Sequence, residues 1–369
     1  MSENNRRLKV GITIGDTNGI GIEVAMKTAG VPEMMDLCIP IIYGSSKIVS
    51  YHRNACNLPG FQLNHTKTAE RIKDNMPNLV ECIDQDIKIE LGQPSKQAGL
   101  ASFIALEAAV RDLKAGIIDV LVTGPISKDN IQSEQFHFPG HTEYLESAVG
   151  DDSKALMMLC THNLRIALAT NHLPLAQVPA ALTIEGIREK LRLFNASLMR
   201  DFNIDGPRIA VLSLNPHGGE NGILGTEERD IILPAMQQAL DEDGIQCFGP
   251  YAADGFFGAR HYRRFDGVLA MYHDQGLAPF KTIAMDEGVN FTAGLPIVRT
   301  SPDHGTGYDI AGQGIANESS MRQAIYTAID VYRNRIEFDE ARKNPLPKLF
   351  QDRGRDNVKL DLTKGEQQD

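Results

Sequence analysis

The chain has 369 residues, 42% of them apolar and 23% charged, and a formal net charge of −11. This composition excludes intrinsic disorder and a small disulfide-stapled fold, and the length favours two domains. An acidic balance without any basic stripe argues against a nucleic-acid binder, yet a locally positive pocket for a small anion remains compatible with it.

The opening MSENNRRLKV lacks the apolar core of a secretory signal. No later window approaches the roughly 18 apolar residues that cross a bilayer, so a cytoplasmic protein is expected. In chain order, short runs rich in Ile, Val, Leu and Ala predict strands at 8–14, 38–43, 117–122, 164–169, 208–214 and 267–272. Amphipathic stretches predict helices at 21–28, 98–115, 183–201, 226–241 and 319–335. Strands alternating with helices imply βαβ units and a largely parallel sheet in an α/β fold. The charged stretch 351–369 is expected to be a flexible tail. Cys38, Cys56, Cys82, Cys160 and Cys247 are scattered, with no CxxC pair, and are expected to be reduced and mostly buried.

Every predicted strand runs into Gly, polar or His residues, as in ITIGDTNGIG, VLVTGPISK, IALATNHLPL, AVLSLNPHGGE and VLAMYHDQGLAPFK. Open α/β sheets bind ligands beyond the carboxyl ends of their strands, so these ends are expected to share one site. His172, His217 and His273 each follow a predicted strand. Three neutral imidazoles are a candidate ligand set for a divalent ion that keeps open positions for substrate; the alternative is three unrelated loop histidines. Asp274, next to His273, suits a partner of a ligand imidazole or a helix N-cap. Lys281 and Arg299 follow in sequence and suit phosphate or carboxylate, although snorkelling surface residues would look the same. In FPGHTEYL, His141 and Thr142 open a predicted helix, where free N–H groups favour an anion, or simply a cap.

The glycine spacing at Gly15, Gly19 and Gly21 is neither the dinucleotide fingerprint nor a P-loop. The denser stretch SPDHGTGYDIAGQGIAN reads as a close-packed loop against a cofactor or as a surface connection. No GxSxG elbow supports acyl chemistry.

Taken together, GDTNGIGIE, TGPISK, FPGHTEYL, ATNHLPL, NPHGGE, AADGFF, MYHDQGLAPFK and TSPDHGTGYDIAGQGIAN occur in this order over nearly the whole chain. This series strongly resembles the 4-hydroxythreonine-4-phosphate dehydrogenase family of pyridoxal phosphate (vitamin B6) biosynthesis. The resemblance implies a two-domain α/β/α subunit of isocitrate and isopropylmalate dehydrogenase type, with its active site in the interdomain cleft near a homodimer interface. Approximate domains would be 1–140 plus 300–345, and 141–299. It implies NAD bound without the usual glycine fingerprint. It also implies a divalent metal, with zinc first and cobalt, magnesium, manganese or nickel as alternatives. His172, His217 and His273 are similar to the family's metal ligands, the third coming from the partner subunit. His141, Thr142, Lys281, Asn290 and Arg299 match substrate-binding positions. Asp254, in AADGFF, matches an acidic residue near the active site, and Lys281 is a candidate proton relay. The implied reaction oxidises the 3-hydroxyl of 4-phosphohydroxy-L-threonine and then decarboxylates the product to 3-amino-2-oxopropyl phosphate.

The sequence departs from the common pattern at Thr17-Asn18, where Pro-Ala is usual, and at Gly219. These departures leave open a relative acting on phospho-threonate or phospho-erythronate. From other classes, a zinc hydrolase and a non-catalytic phosphate-ligand binding protein remain alternatives.

Overall fold

The computed structural model describes residues 6–134, 136–149 and 153–344, so the expected tail at 351–369 lies outside the described residues. Twelve strands form one sheet. In chain order they are β1 (Leu8–Thr13), β2 (Cys38–Gly44), β3 (Asn64–Thr66), β4 (Asn78–Glu81), β5 (Val120–Thr123) and β6 (Leu156–Cys160). They continue with β7 (Arg165–Leu168), β8 (Ile209–Leu212), β9 (Cys247–Tyr251), β10 (Gly267–Ala270), β11 (Val289–Ala293) and β12 (Arg299–Pro302). The spatial order is β3-β4-β2-β1-β5-β12-β11-β6-β7-β10-β8-β9.

The sheet is largely parallel, as expected, with an antiparallel seam at its centre. β3, β4, β2, β1, β5 and β12 form one parallel block, and β7, β10, β8 and β9 form another. Between them β11 runs antiparallel to both β12 and β6, and β6 antiparallel to β7. Three reversals leave the two blocks pointing in opposite directions. The carboxyl ends of β1, β2 and β5 therefore lie at one edge of the sheet and those of β7, β8 and β10 at the other. The strand ends thus do not share one edge, yet Gly124 and Lys128 after β5, His172 after β7 and Lys281 on the helix after β10 line one cavity.

The central strands β6, β11 and β12 were not foreseen because of what they carry. β6 reads LMMLC with no β-branched residue, β11 interleaves polar residues with apolar ones, and β12 reads RTSP. A tight turn closes β6 onto β7, with Thr161 N–H donating to the Leu164 carbonyl at 2.8 Å. Local hairpin closure of this kind makes an antiparallel pair.

β1, β2 and β5 are buried almost throughout, as strands covered on both faces must be. In the second block, side-chain alternation splits the core in two. Ile166 and Leu168 pack with Leu277 and Phe280 of helix His273–Ala284, while Ala167 belongs to the other layer, with Phe194 and Leu198 of helix Ile184–Arg200. Burying a side chain of Leu or Phe size stabilises by about 1.5–3 kcal/mol, so these two layers hold the second block. The five cysteines are free, three of them buried. Among the described residues no helix is long and apolar enough to cross a membrane.

Candidate active site

The antiparallel centre of the sheet makes the floor of a cleft. Along β11, Val289, Phe291 and Ala293 enter the core, which turns Asn290 and Thr292 to the opposite face. Across the ladders, Ser301 of β12 stands opposite Asn290 and Met157 of β6 opposite Thr292. Over this floor lies a cavity of about 290 Å³ that Asn290, Met157, Arg299 and Ser301 line from below. The turn after β5, with Gly124 and Lys128, the start of helix His141–Val149, and Asp303 and His304 after β12 form its walls. A larger groove of about 780 Å³ beside Thr161 and Met285 contains none of the expected site residues.

Arg299 is the chemical centre of this cleft. It is 2% exposed. Its Nε and Nη2 donate to the Thr123 hydroxyl at 3.0 and 2.6 Å, and its Nη1 to the Thr292 hydroxyl at 3.1 Å. No carboxylate forms an ion pair with it among the described residues. Burial pushes the guanidinium down to about 9, with Glu143 opposing, so it stays charged at neutral pH. A buried cation bonded only to neutral hydroxyls is costly unless an anion completes it.

Several enclosed polar atoms around it are also without partners. They include His141 Nε2, Asn290 Oδ1, Asp303 Oδ2 and His304 Nε2. Orphaned groups of this kind are rare in folded proteins and mark places where a ligand or water belongs. Burial, then Arg299 and Lys128, hold the His141 imidazole well below its ordinary value, so it is neutral. Thr142 lies beside His141 on the same helix start and lines the cavity. Lys281 reaches in from helix His273–Ala284, with Nζ donating to the Asp303 carbonyl at 3.0 Å and pairing with Asp303 Oδ1 at 3.3 Å. Burial pushes the Asp303 carboxyl up, against the pull of Lys281. All five expected substrate-binding residues, His141, Thr142, Lys281, Asn290 and Arg299, therefore meet in one cleft.

The histidines expected to hold a metal are brought together only in part. The His172 and His273 rings lie 5.5 Å apart, centre to centre. His273 Nδ1 is bonded to Asp274 Oδ1 at 2.6 Å, which leaves Nε2 free and orients the ring as a ligand imidazole is oriented. Burial and Lys128 lower His172, keeping it neutral. His217 sits elsewhere, exposed, in a run from His217 to Asn221 whose residues all have positive φ. Such left-handed backbone costs roughly 1–2 kcal/mol for each non-glycine residue. The bond from Asn215 N–H to Glu228 at 2.7 Å anchors the entry to this turn. Among the described residues no three His, Cys, Asp or Glu side chains surround one point, so the convergence of three imidazoles within one chain is not formed. The His172–His273 pair fits a divalent ion in ligand chemistry and lacks its third donor. Asp254 is exposed on the short helix Ala253–Gly258 and does not line the cleft.

Lys128, Asp303 and His304, which lie within TGPISK and SPDHGTGY, also line the cleft and were not among the expected site residues. A cation in a strand-end motif was the available signal for Lys128. Thr123 and Thr292, which hold Arg299, had none, because both look like ordinary strand threonines.

A sequence model of the family described as "Pyridoxal phosphate biosynthetic protein PdxA" matches residues 36–328. A 4-hydroxythreonine-4-phosphate dehydrogenase of Bacteroides thetaiotaomicron is 53% identical over 98% of both chains. Another of Sulfurihydrogenibium sp. is 42% identical over 87% of this chain and 98% of its own. Among solved structures, 4-hydroxythreonine-4-phosphate dehydrogenase from Klebsiella pneumoniae is similar with a TM-score of 0.76 and 30% identity, covering 90% of this chain and 100% of that one. A terephthalate 1,2-cis-dihydrodiol dehydrogenase from Burkholderia xenovorans has a TM-score of 0.57 and 27% identity, covering 88% of this chain and 98% of that one. With its cleft residues and their order in the chain, the protein belongs to the PdxA family of pyridoxal phosphate biosynthetic proteins.

Proposed function

We propose that the chain is a dehydrogenase that oxidises the 3-hydroxyl of 4-phosphohydroxy-L-threonine with NAD and releases carbon dioxide, giving 3-amino-2-oxopropyl phosphate. The observation that carries this reading is the buried Arg299, held by two hydroxyls and facing unbonded His141, Asn290 and Asp303 atoms in a cleft of substrate size. The names of the close relatives supply the substrate and the reaction type.

Arg299, with His141 and Thr142 at a helix start, binds an anionic group of the substrate, and Asn290 offers its Oδ1 to a donor such as the amine. Lys281, braced by Asp303, faces the cleft and holds the proton that is moved as the hydroxyl is oxidised. His172 and His273, completed by His217 with one of the three imidazoles coming from the partner subunit, would hold a divalent ion, zinc by ligand type. When bound, the ion supplies Lewis-acid polarisation of the hydroxyl and the nicotinamide accepts the hydride. Oxidation at C3 leaves a β-keto acid, which loses carbon dioxide as the electron pair moves onto the neighbouring carbonyl, and the enolate then takes a proton at C2 to give the ketone. Asp254 has no place in the cleft of a single chain, and any role for it requires the second subunit.

We place the enzyme in the cytoplasm as a homodimer. The first domain would combine 1–140 with 300–345, and the second would span 141–299, with the cleft between them. A second reading is favoured by the terephthalate dihydrodiol dehydrogenase neighbour, whose name shows that this scaffold serves other alcohols. NADH formation with 4-phosphohydroxy-L-threonine, 4-phospho-threonate and 4-phospho-erythronate side by side tests both. The amino substrate is expected to be turned over with the highest kcat/KM. Preference for either acid without the amine would contradict the assignment.

A further inference from the structure

Lys128 stands in the cleft wall, and the proposed reaction gives it no role. Its Nζ stands 3.1 Å from His172 Nε2. The turn that carries it is tied down from below. Asn130 Nδ2 donates to the Tyr308 hydroxyl at 3.1 Å and lies 3.4 Å from Asp16 Oδ2, to which Tyr308 donates at 2.8 Å. Asp16 is buried, and its N–H donates to the Pro125 carbonyl at 2.8 Å. Gly99, on helix Lys96–Lys114, approaches the Asn130 carbonyl so closely that a Cβ has no room. The base of Lys128 is thus fixed at the cleft rim, while its flexible four-carbon stem leaves the ammonium free to move.

A neutral imidazole offers one lone pair. An ammonium donating to His172 Nε2 and a metal ion bound at that atom exclude each other. A displaced Lys128 remains beside the cleft that Arg299 and Lys281 make positive, and a doubly charged substrate is the available counter-charge. Lys128 already acts with Arg299 on His141, so the two cations share one field. We propose that Lys128 is a further substrate-binding residue, parked on His172 in the ligand-free chain and released to the substrate's anionic group when His172 takes a metal ion. This rests on the metal and substrate reading above, and its test uses zinc and inorganic phosphate as probes, so it requires no turnover.

Lys128→Met and Lys128→Gln remove the charge from an exposed side chain and keep most of its length. Zinc is titrated onto the metal-free protein against a chromophoric chelator, and inorganic phosphate onto the zinc-loaded protein. Both variants are expected to bind zinc about fivefold more tightly and phosphate about fivefold more weakly than the unmodified protein, with Lys128→Arg restoring phosphate binding. Unchanged or weaker zinc binding, or unchanged phosphate binding, in both variants overturns the proposal. Zinc binding that survives His172→Ala marks failure of the metal assignment, and the proposal falls with it. Zinc binding that His172→Ala weakens and Lys128→Met leaves unchanged marks failure of this proposal alone.

Discussion

A guanidinium bonded to the Thr123 and Thr292 hydroxyls carries a desolvation cost that Glu143 opposes from a distance and no ion pair offsets. On the reading proposed above, Arg299 serves recognition at the expense of stability. Replacing it by Met, of similar length and apolar, separates the two effects. Arg299→Met is expected to leave the thermal midpoint unchanged or raised, and to lower kcat/KM by about 10²–10³-fold, as loss of a buried charge-assisted contact does. Calorimetry and steady-state kinetics on the same preparation check both, and a destabilised variant with intact kcat/KM would contradict this role. The cleft cations themselves were legible, because Lys281 and Arg299 stand in recognisable motifs. Their surroundings were not. The threonines that hold Arg299 are remote from it in sequence or indistinguishable from other strand residues, and only the ladder register brings them together.

Among the elements, most strands with uniform apolar runs were legible, β6 excepted, and those with a polar face toward the cleft were not. β1, β2 and β10 appear close to the expected bounds because both of their faces are buried. β11 alternates core residues with Asn290 and Thr292, and β12 reads RTSP, so the polar residues that make the cleft floor hide both from a search for apolar runs. The same chemistry shapes the helix Lys96–Lys114. Ser95 caps it, accepting from Ala98 N–H at 3.2 Å, and Gly99 in its first turn lets it lie against the turn carrying Asn130. Gly99→Ala improves helix propensity by about 1 kcal/mol yet forces helix and turn apart. A net loss of about 1–3 kcal/mol is expected in denaturant unfolding, as for other overpacked contacts. Equal or greater stability would show that the close approach is not a constraint.

At the scale of the whole molecule, two parallel blocks of opposite direction meet at an antiparallel seam, and the cleft lies over the seam. Neither the reversal nor the seam was visible in the strand-end sequences, because a carboxyl end reads the same whichever edge it reaches. The net charge of −11 argues against nucleic acid as a partner and says nothing of the cleft, where Arg299, Lys281 and Lys128 gather on an acidic protein. Within one chain the His172–His273 pair lacks a third imidazole among the described residues, and on the reading proposed above that donor would come with the second subunit. NADH formation from 4-phosphohydroxy-L-threonine, followed before and after removal of metal with a chelator and again after adding zinc, tests the account most directly. Activity that disappears with the metal and returns with zinc is the expected result. Undiminished turnover in the thoroughly metal-free protein, or no NADH from this substrate under any of the three conditions, would contradict it.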